Sequence, residues 1–552
     1  MNLGKIVCAT LAGLMLGTGY GKAQTGATPP RVNCTMRKTA LSDAEAALAR
    51  DEYSAALNLY REMAKTDPNT GKAGTIRTLI EQNELNEAVD QSQAWAKAEP
   101  KNAVAIETLA EELFREGELA NAAANAELAH TLDTCNARVY LLTARLDDMK
   151  GNFATGQKHI ELAHRLDPVD PEIRWQWINT LPRARRMEET AAVLREDKVL
   201  ASKRKERVAD ALAHANDSEK DECTMIRRIE SDRVAIQPML DGKRVAGLAL
   251  DVSFNGKRRR LEIDTGASGL VLSRGAASGL GLLREQKTAS DGIGDEGEVA
   301  TSIAHVESVR IGDMEFQNCA VHILERRRAL DIDGLIGGNV FSKYLLTLDF
   351  PKMELRIDPL PKRPGETDKL TASLDTTGDE ASKAVVAIDK NEESHRYDRY
   401  IAPEMQDWTK VYRIGHNLLV PVTMTDEKQK RTSKDKLFIV DTGSDSILIS
   451  PDAASGVTKV HNDYTVGVHG IAGDVKRVYS TEGLNFYFAH LKQPVYEVTA
   501  MDTTRLSHDE GVEVSGLLGA TVLHRVTLHI DYRDNLIKLD FDPEHDRPGS
   551  AH

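Results

Sequence analysis

The feature that most restricts the fold is a pair of related stretches, LEIDTGASGLVLS at residues 261–273 and LFIVDTGSDSILIS at residues 437–450. Each runs from an apolar segment through Asp-Thr-Gly, a small residue and a short polar step to a second apolar segment. Each is followed by an apolar segment carrying glycine, DGLIGGNVFSKYLLTLDF (333–350) and SGLLGATVLHRVTLHIDY (515–532). Six of the eighteen aligned positions in these segments are identical: Gly334/Gly516, Leu335/Leu517, Gly337/Gly519, Val340/Val522, Leu346/Leu528 and Asp349/Asp531. Asp264 precedes Gly337 by 73 residues and Asp441 precedes Gly519 by 78. Upstream, LALDVSF matches LLVPVTM, and Ala-Ala-Ser-Gly follows each Asp-Thr-Gly (276–279 and 453–456). A whole domain has been duplicated, and its two acidic tips, Asp264 and Asp441, are expected to face each other.

The residue types explain why. An apolar strand carries its terminal Asp into a largely buried place. Gly266 and Gly443 let the backbone turn tightly beneath the carboxylate, with an amide free to bond it. Thr265 and Thr442 offer hydroxyls that reach the opposite loop. Two carboxyls a few ångströms apart cannot both ionise cheaply, so they share a proton. The protonated member polarises a peptide carbonyl and the ionised member takes a proton from water. This chemistry needs no metal, cofactor or covalent intermediate. The glycine-rich stretches SDGIGDEGEV (290–299) and VGVHGIAGDV (466–475) are hairpin candidates. Either they are ordinary turns, or Gly292, Gly294, Gly470 and Gly473 let them move over a ligand.

On these motifs, residues 234–360 and 411–545 resemble two retropepsin-like aspartic-protease lobes fused in one chain, as in pepsin-like enzymes. The family pattern is matched by Ile263-Asp264-Thr265-Gly266-Ala267 with Leu335-Ile336-Gly337. It is matched again by Val440-Asp441-Thr442-Gly443-Ser444 with Leu517-Leu518-Gly519. The resemblance implies an aspartic endopeptidase acting on proteins or peptides, with Asp264 and Asp441 catalytic and the threonines bracing the loops. Ala267 stands where many acid-active relatives carry Ser or Thr. Loss of a hydroxyl that stabilises the ionised pair raises its apparent pKa, so a less acidic optimum is expected. Asp445 stands where Ser or Thr is usual; it either disturbs the pair or faces solvent. Neither hairpin has the Tyr of the pepsin-type flap, and His469 reads as an exposed loop histidine. The same residues also suit an inactive peptide-binding or scaffolding protein.

Residues 24–200 have helical periodicity and repeat. Asp67-Pro68, Glu99-Pro100, Asp133-Thr134 and Asp167-Pro168 fall 32, 34 and 34 residues apart. Ala56, Ala88, Ala122 and Gly156 keep the same spacing, and Gly117 and Gly151 fall in turns within repeats. This resembles the tetratricopeptide repeat (TPR), with about four repeats and a weaker fifth carrying Trp175 and Trp177. The resemblance implies an α-solenoid that binds a protein partner or substrate, or else braces the next domain. The fold class expected is therefore multidomain α + β, a solenoid followed by two duplicated all-β lobes.

The chain of 552 residues, 41% hydrophobic, can fill several cores. Its net charge of −14, with Lys and Arg scattered, argues against nucleic acid. Lys5, the apolar run Ile6–Leu16 and Gly21-Lys22-Ala23 read as a cleaved export signal over 1–23, implying a periplasmic or extracellular protein with no later membrane span. Cys34, Cys135, Cys223 and Cys319 then remain, with three pairings possible or free buried thiols. Residues 201–233 read as a charged helical linker, 361–410 as a linker with an insertion, and 546–552 as a tail.

Overall fold

The computed structural model describes residues 34–196, most of 223–364, residues 397–541 and a few positions between. The expected signal and the tail lie outside the described residues.

Among the described residues the solenoid shows five antiparallel helix pairs: α1 (Asp43–Ala49) with α2 (Tyr53–Met63), α3 (Pro68–Glu81) with α4 (Leu85–Ala98), α5 (Ala103–Arg115) with α6 (Leu119–Leu132), α7 (Ala137–Lys150) with α8 (Phe153–Leu166), and α9 (Pro171–Thr180) with α10 (Arg183–Arg195). Asp67, Asn102, Asn136 and Asp170 cap α3, α5, α7 and α9 by accepting from first-turn amides. Pro68 and Pro171 begin helices, where a missing N–H costs nothing. The recurring small residues sit where helices cross. Ala56, Ala88 and Ala122 are fully buried, and a Cβ on Gly156 would lie 2.4 Å from Asp148 Oδ1. In the last pair, the Trp177 ring stacks on His164 at 3.8 Å. The segment before α1 ties the array together. Cys34 is disulfide-bonded to Cys135, and Arg37 bridges Glu45 of α1 (2.8 Å) and Asp167 after α8 (3.1 Å). Leu41 packs with Ile178 and Val193 of the last pair.

From Cys223 onward the chain is mainly β. In the first β unit, strands Arg244–Phe254 and Lys257–Asp264 form a hairpin through Asn255-Gly256. Strand Gly334–Gly337 lies parallel to Lys257–Asp264, with Leu335 opposite Glu262 and Gly337 opposite Asp264. Leu270–Ser273 pairs on its other side. The second unit repeats this register. Gly516–Leu518 lies parallel to Lys436–Val440 with Leu517 opposite Ile439, and Leu448–Ile449 flanks it. The two units share a six-stranded sheet among the described residues. At its centre Tyr344–Asp349 runs antiparallel to Val526–Asp531. Thr347 faces its own duplicate position, His529, at 2.9 Å from Oγ1 to Nδ1, so the approximate two-fold axis passes between them.

Two linker expectations need correction. The charged stretch 201–233 is not helical to its end: Thr224–Arg227 pairs with Met314–Leu324, and Asp232–Ala235 forms an edge of the shared sheet. Along Asp232–Ala235 exposure alternates, with Arg233 and Ala235 facing outward. On the other side, Thr409–Lys410, placed in the 361–410 linker, forms the opposite edge, while Ala402 and Met405 are buried against Leu536. The cysteines form Cys34–Cys135 and Cys223–Cys319 disulfides, which fits an oxidising compartment. No helix among the described residues is long and apolar enough to cross a membrane.

The solenoid packs on the second β unit. Leu113, Phe114, Leu142 and Met149 share a core with Leu419, Leu437, Val512 and Val514. The contacts explain the repeat glycines. Gly117 turns at φ 73° with Glu513 O 3.3 Å from where a Cβ would stand; Gly151 turns at φ 81° with the Asn535 amide at 3.0 Å. The buried Arg115 donates to Ser507 O (2.9 Å) and Asn83 Oδ1 (3.2 Å). Asp398 accepts from Thr155 N at the start of α8 (2.9 Å).

Candidate active site

The strands Lys257–Asp264 and Lys436–Val440 deliver Asp264 and Asp441 to one place. A Cβ on Gly443 would lie 2.5 Å from Asp264 Cγ, and one on Gly266 would lie 3.0 Å from Asp441 Cγ. A side chain at Gly443 would displace the Asp264 carboxyl, and one at Gly266 would press tightly on Asp441. The carboxyls are close enough to hydrogen-bond each other. Gly266 N donates to Asp264 Oδ1 at 2.8 Å. Gly443 N and Ser444 N donate to Asp441 Oδ1 at 3.0 and 3.2 Å.

The two threonines cross between the loops. Thr265 Oγ1 donates to Val440 O (2.7 Å) and accepts from Thr442 N (3.0 Å). Thr442 Oγ1 donates to Ile263 O (2.7 Å) and accepts from Thr265 N (3.1 Å). Both side chains are buried. Thr265→Val or Thr442→Val therefore leaves a buried carbonyl and a buried amide unpaired, at a cost of about 2–4 kcal/mol. Urea denaturation measures this, and the Ser variants, which keep the hydroxyl, are expected to stay near wild type.

Burial raises both acids, and each then feels another carboxyl. Burial, then the neighbouring Glu262 carboxyl, pushes Asp264 up to about 6 against the pull of Gly266 N–H. Burial, then Asp264, holds Asp441 well above the usual carboxylate range. The hydroxyl of Ser444, the counterpart of Ala267, donates to Ser446 O at 3.1 Å rather than to the pair. The upward shift thus stands on burial and on Glu262, which the sequence reading did not single out. Asp445 is exposed, yet its charge acts on Glu262.

Gly337 and Gly519 support the loops from below. A Cβ on Gly337 would lie 2.4 Å from Ala267 O, and one on Gly519 would lie 2.2 Å from Ser446 O. His416 was also missed. It follows Gly415 in the turn before LLVPVTM, and its Nε2 lies 2.9 Å from Gly266 O, joining the second unit to the first unit's loop. Burial holds its pKa below the ordinary histidine value. A histidine in a turn carries no signal of this cross-unit bond.

The pair opens on a cleft of about 1480 Å³. Gly292, Gly294, Gly470 and Gly473 all line it. The two glycine-rich loops clasp each other: Ala472 N donates to Ile293 O (2.9 Å) and Glu296 N to Ala472 O (3.0 Å). A Cβ on Gly294 would lie 2.3 Å from Ala472 C, and one on Gly470 would lie 2.3 Å from Ile293 O. These glycines serve the close approach of two backbones. His469 is exposed and paired with Asp474 at 2.7 Å. Asn83, at the end of the α3–α4 pair's first helix, also lines the cleft, so the solenoid forms part of its wall.

Residues 250–340, which include Asp264, Thr265 and Gly266, match the aspartyl protease family. Among solved structures, the chain is similar to a retropepsin-like aspartic protease from Rickettsia conorii, with 24% identity, coverage of 23% of this chain and 91% of that one, and a TM-score of 0.18. It is also similar to a thermophilic TPR protein in Thermus thermophilus, with 18% identity, coverage of 30% and 90%, and a TM-score of 0.24. No curated protein matches the chain.

Proposed function

We propose that the protein is an aspartic endopeptidase in which Asp264 and Asp441 jointly activate a water for attack on a peptide bond. One observation carries this reading: two carboxyls, that of Asp441 buried and that of Asp264 half-buried, each lie beside the other's glycine at the floor of an open cleft, on loops locked together by reciprocal threonine bonds. The aspartyl protease match over residues 250–340 supports it. The ionised acid takes a proton from water held between the carboxyls. The protonated acid donates to the carbonyl oxygen as the tetrahedral centre forms, and the leaving nitrogen then recovers a proton. Gly292, Gly294, Gly470 and Gly473 belong to the loops that part to admit a chain. The solenoid contributes to the same cleft through Asn83 and holds a substrate or partner protein. Two disulfides fit an exported protein working under oxidising conditions.

The proton count predicts the pH profile. Catalysis needs one proton on the pair. As pH falls through about 6, Asp264 protonates and the second acid is already neutral, so activity falls. As pH rises further, Asp441 loses its proton and activity falls again. A bell with its acid limb near pH 6 is expected for kcat/KM on an unfolded protein. A maximum below about pH 3 contradicts it. The reading is tested by digesting an unfolded protein mixture across that range with wild type, Asp264→Asn and Asp441→Asn.

A further inference from the structure

The duplication gives each β unit the same row of four side chains facing the cleft, and the two rows differ in chemistry. In the second unit the registers place Ile439, Leu517, Leu448 and Thr499 side by side across four strands. In the first unit they place Glu262, Leu335, Val271 and His322 at the matching positions. All eight line the cleft. Glu262 and Ile439 each lie two residues before the acidic tip, so along a strand they share its face. Where the second row begins with Ile439, the first begins with a carboxyl.

The backbone makes room for that carboxyl. Ala249 pairs with Glu262 as Leu419 pairs with Ile439. Two positions earlier on those strands stand Gly247 and Asn417. A Cβ on Gly247 would lie 2.5 Å from Glu262 Oε1, so the absence of a side chain there accommodates the acid. Asn417 in the second unit is instead bonded to Glu510 at 2.7 Å. Glu262 has neither a hydrogen-bond nor an ion-pair partner among the described residues. Burial, then Asp445, then Asp441 push its pKa up to about 8; no cation is among the causes. A carboxyl in this condition is costly to the free protein, and a cationic ligand supplies the counter-charge that none of the described residues gives it.

We infer that the two sides of the cleft select opposite kinds of side chain: the first unit, through Glu262, takes a lysine or arginine beside the scissile bond, and the second, through Ile439, Leu448 and Leu517, takes a large apolar residue. The inference rests on the endopeptidase reading and names its substrate class. The arriving cation displaces the proton from Glu262 and forms a charge-assisted hydrogen bond in a partly desolvated site. Asp445 adds a second carboxylate on the same side. An apolar residue there leaves the acid unpaired, which is the strongest form of discrimination available to a pocket.

The test is sequencing of the cut sites made in a denatured protein mixture, followed by kcat/KM on matched peptides differing only in Lys, Arg, Leu or Glu at the two flanking positions. Wild type is expected to cut with a basic residue on one side and an apolar one on the other, favouring Lys or Arg over Leu at the basic position by at least about tenfold. Glu262→Ile, which copies the second unit, is expected to lose that preference and gain cleavage between two apolar residues. Glu262→Gln, which keeps shape and loses charge, is expected to lower Lys and Arg cleavage with less gain for Leu. Ile439→Glu is expected to bring a second basic preference. Cuts between apolar pairs by wild type, or an unchanged cut pattern in Glu262→Ile, overturn the inference while leaving the endopeptidase reading intact. Absence of any Asp-dependent cleavage on every peptide overturns both.

Discussion

Asp264→Asn and Asp441→Asn each lower kcat/KM for peptide hydrolysis by at least about four orders of magnitude, because groups that act as one unit lose nearly everything when either is removed. The fold survives. Each amide keeps the shape of the acid and still accepts from the glycine amide beneath it, at 2.8 Å for position 264 and 3.0 Å for 441. Stability separates this from unfolding. Both acids hold their protons to higher pH in the folded chain than an unfolded Asp does. The folded state therefore binds more protons across the interval from the ordinary carboxylate range up to the folded pKa, and stability falls as pH rises through it. Asparagine has no charge to bury. The variants should match wild type near about pH 4 and exceed it at about pH 8 in urea denaturation. Retained turnover in either variant ends the proposed chemistry, and lost turnover with lost stability at both pH values points to misfolding instead.

Removal of the solenoid is expected to be nearly as damaging, though it contributes no reacting group. A chain starting at Cys223 uncovers Leu419, Leu437, Val512 and Val514, which wild type buries under α5, α6 and α7. It also strands Glu513 N, which donates to Arg115 O at 2.8 Å, and Asp398, which caps α8. The apolar area exposed forms one patch, and the expected product is aggregation or loss of cooperative unfolding. A milder probe keeps the chain whole. Leu113→Ala is expected to cost about 2–4 kcal/mol and lower the melting temperature of solenoid and second unit together. The cleft wall follows, since Ile439 and Leu517 belong to the same apolar cluster as Leu113. A soluble, monomeric truncation with unchanged kcat/KM refutes this dependence and makes the solenoid a detachable module.

The duplicated Asp-Thr-Gly stretches were legible because every residue in them answers a local demand: a strand, a tight turn, an acid, a hydroxyl. The 34-residue period was legible for the same reason, since helix crossings at Ala88 and Ala122 tolerate only small side chains. Tertiary relations were not. Gly117 and Gly151 announce a turn, but nothing nearby announces that both turns press on Glu513 and Asn535. Asp232 and Arg233 look like solvated charge and are the rim of a sheet whose partner lies more than a hundred residues away. Glu262 ends the charged run KRRRLE on the strand that leads to Asp264, and nothing in that run announces a cleft. Its meaning emerges only beside Ile439, once the two strands are superposed by their registers.

The central antiparallel pairing of Tyr344–Asp349 with Val526–Asp531, completed by Leu536–Phe541 and Thr409–Lys410, has a consequence in time. Half of that platform is made last. Until the ribosome has delivered residues close to Phe541, the earlier half has no mate and the two acids have no reason to adjoin. On the endopeptidase reading, a nascent polypeptide short of that point holds no completed acid pair, and the means to cut a neighbour comes together only once the second half of the platform is in place.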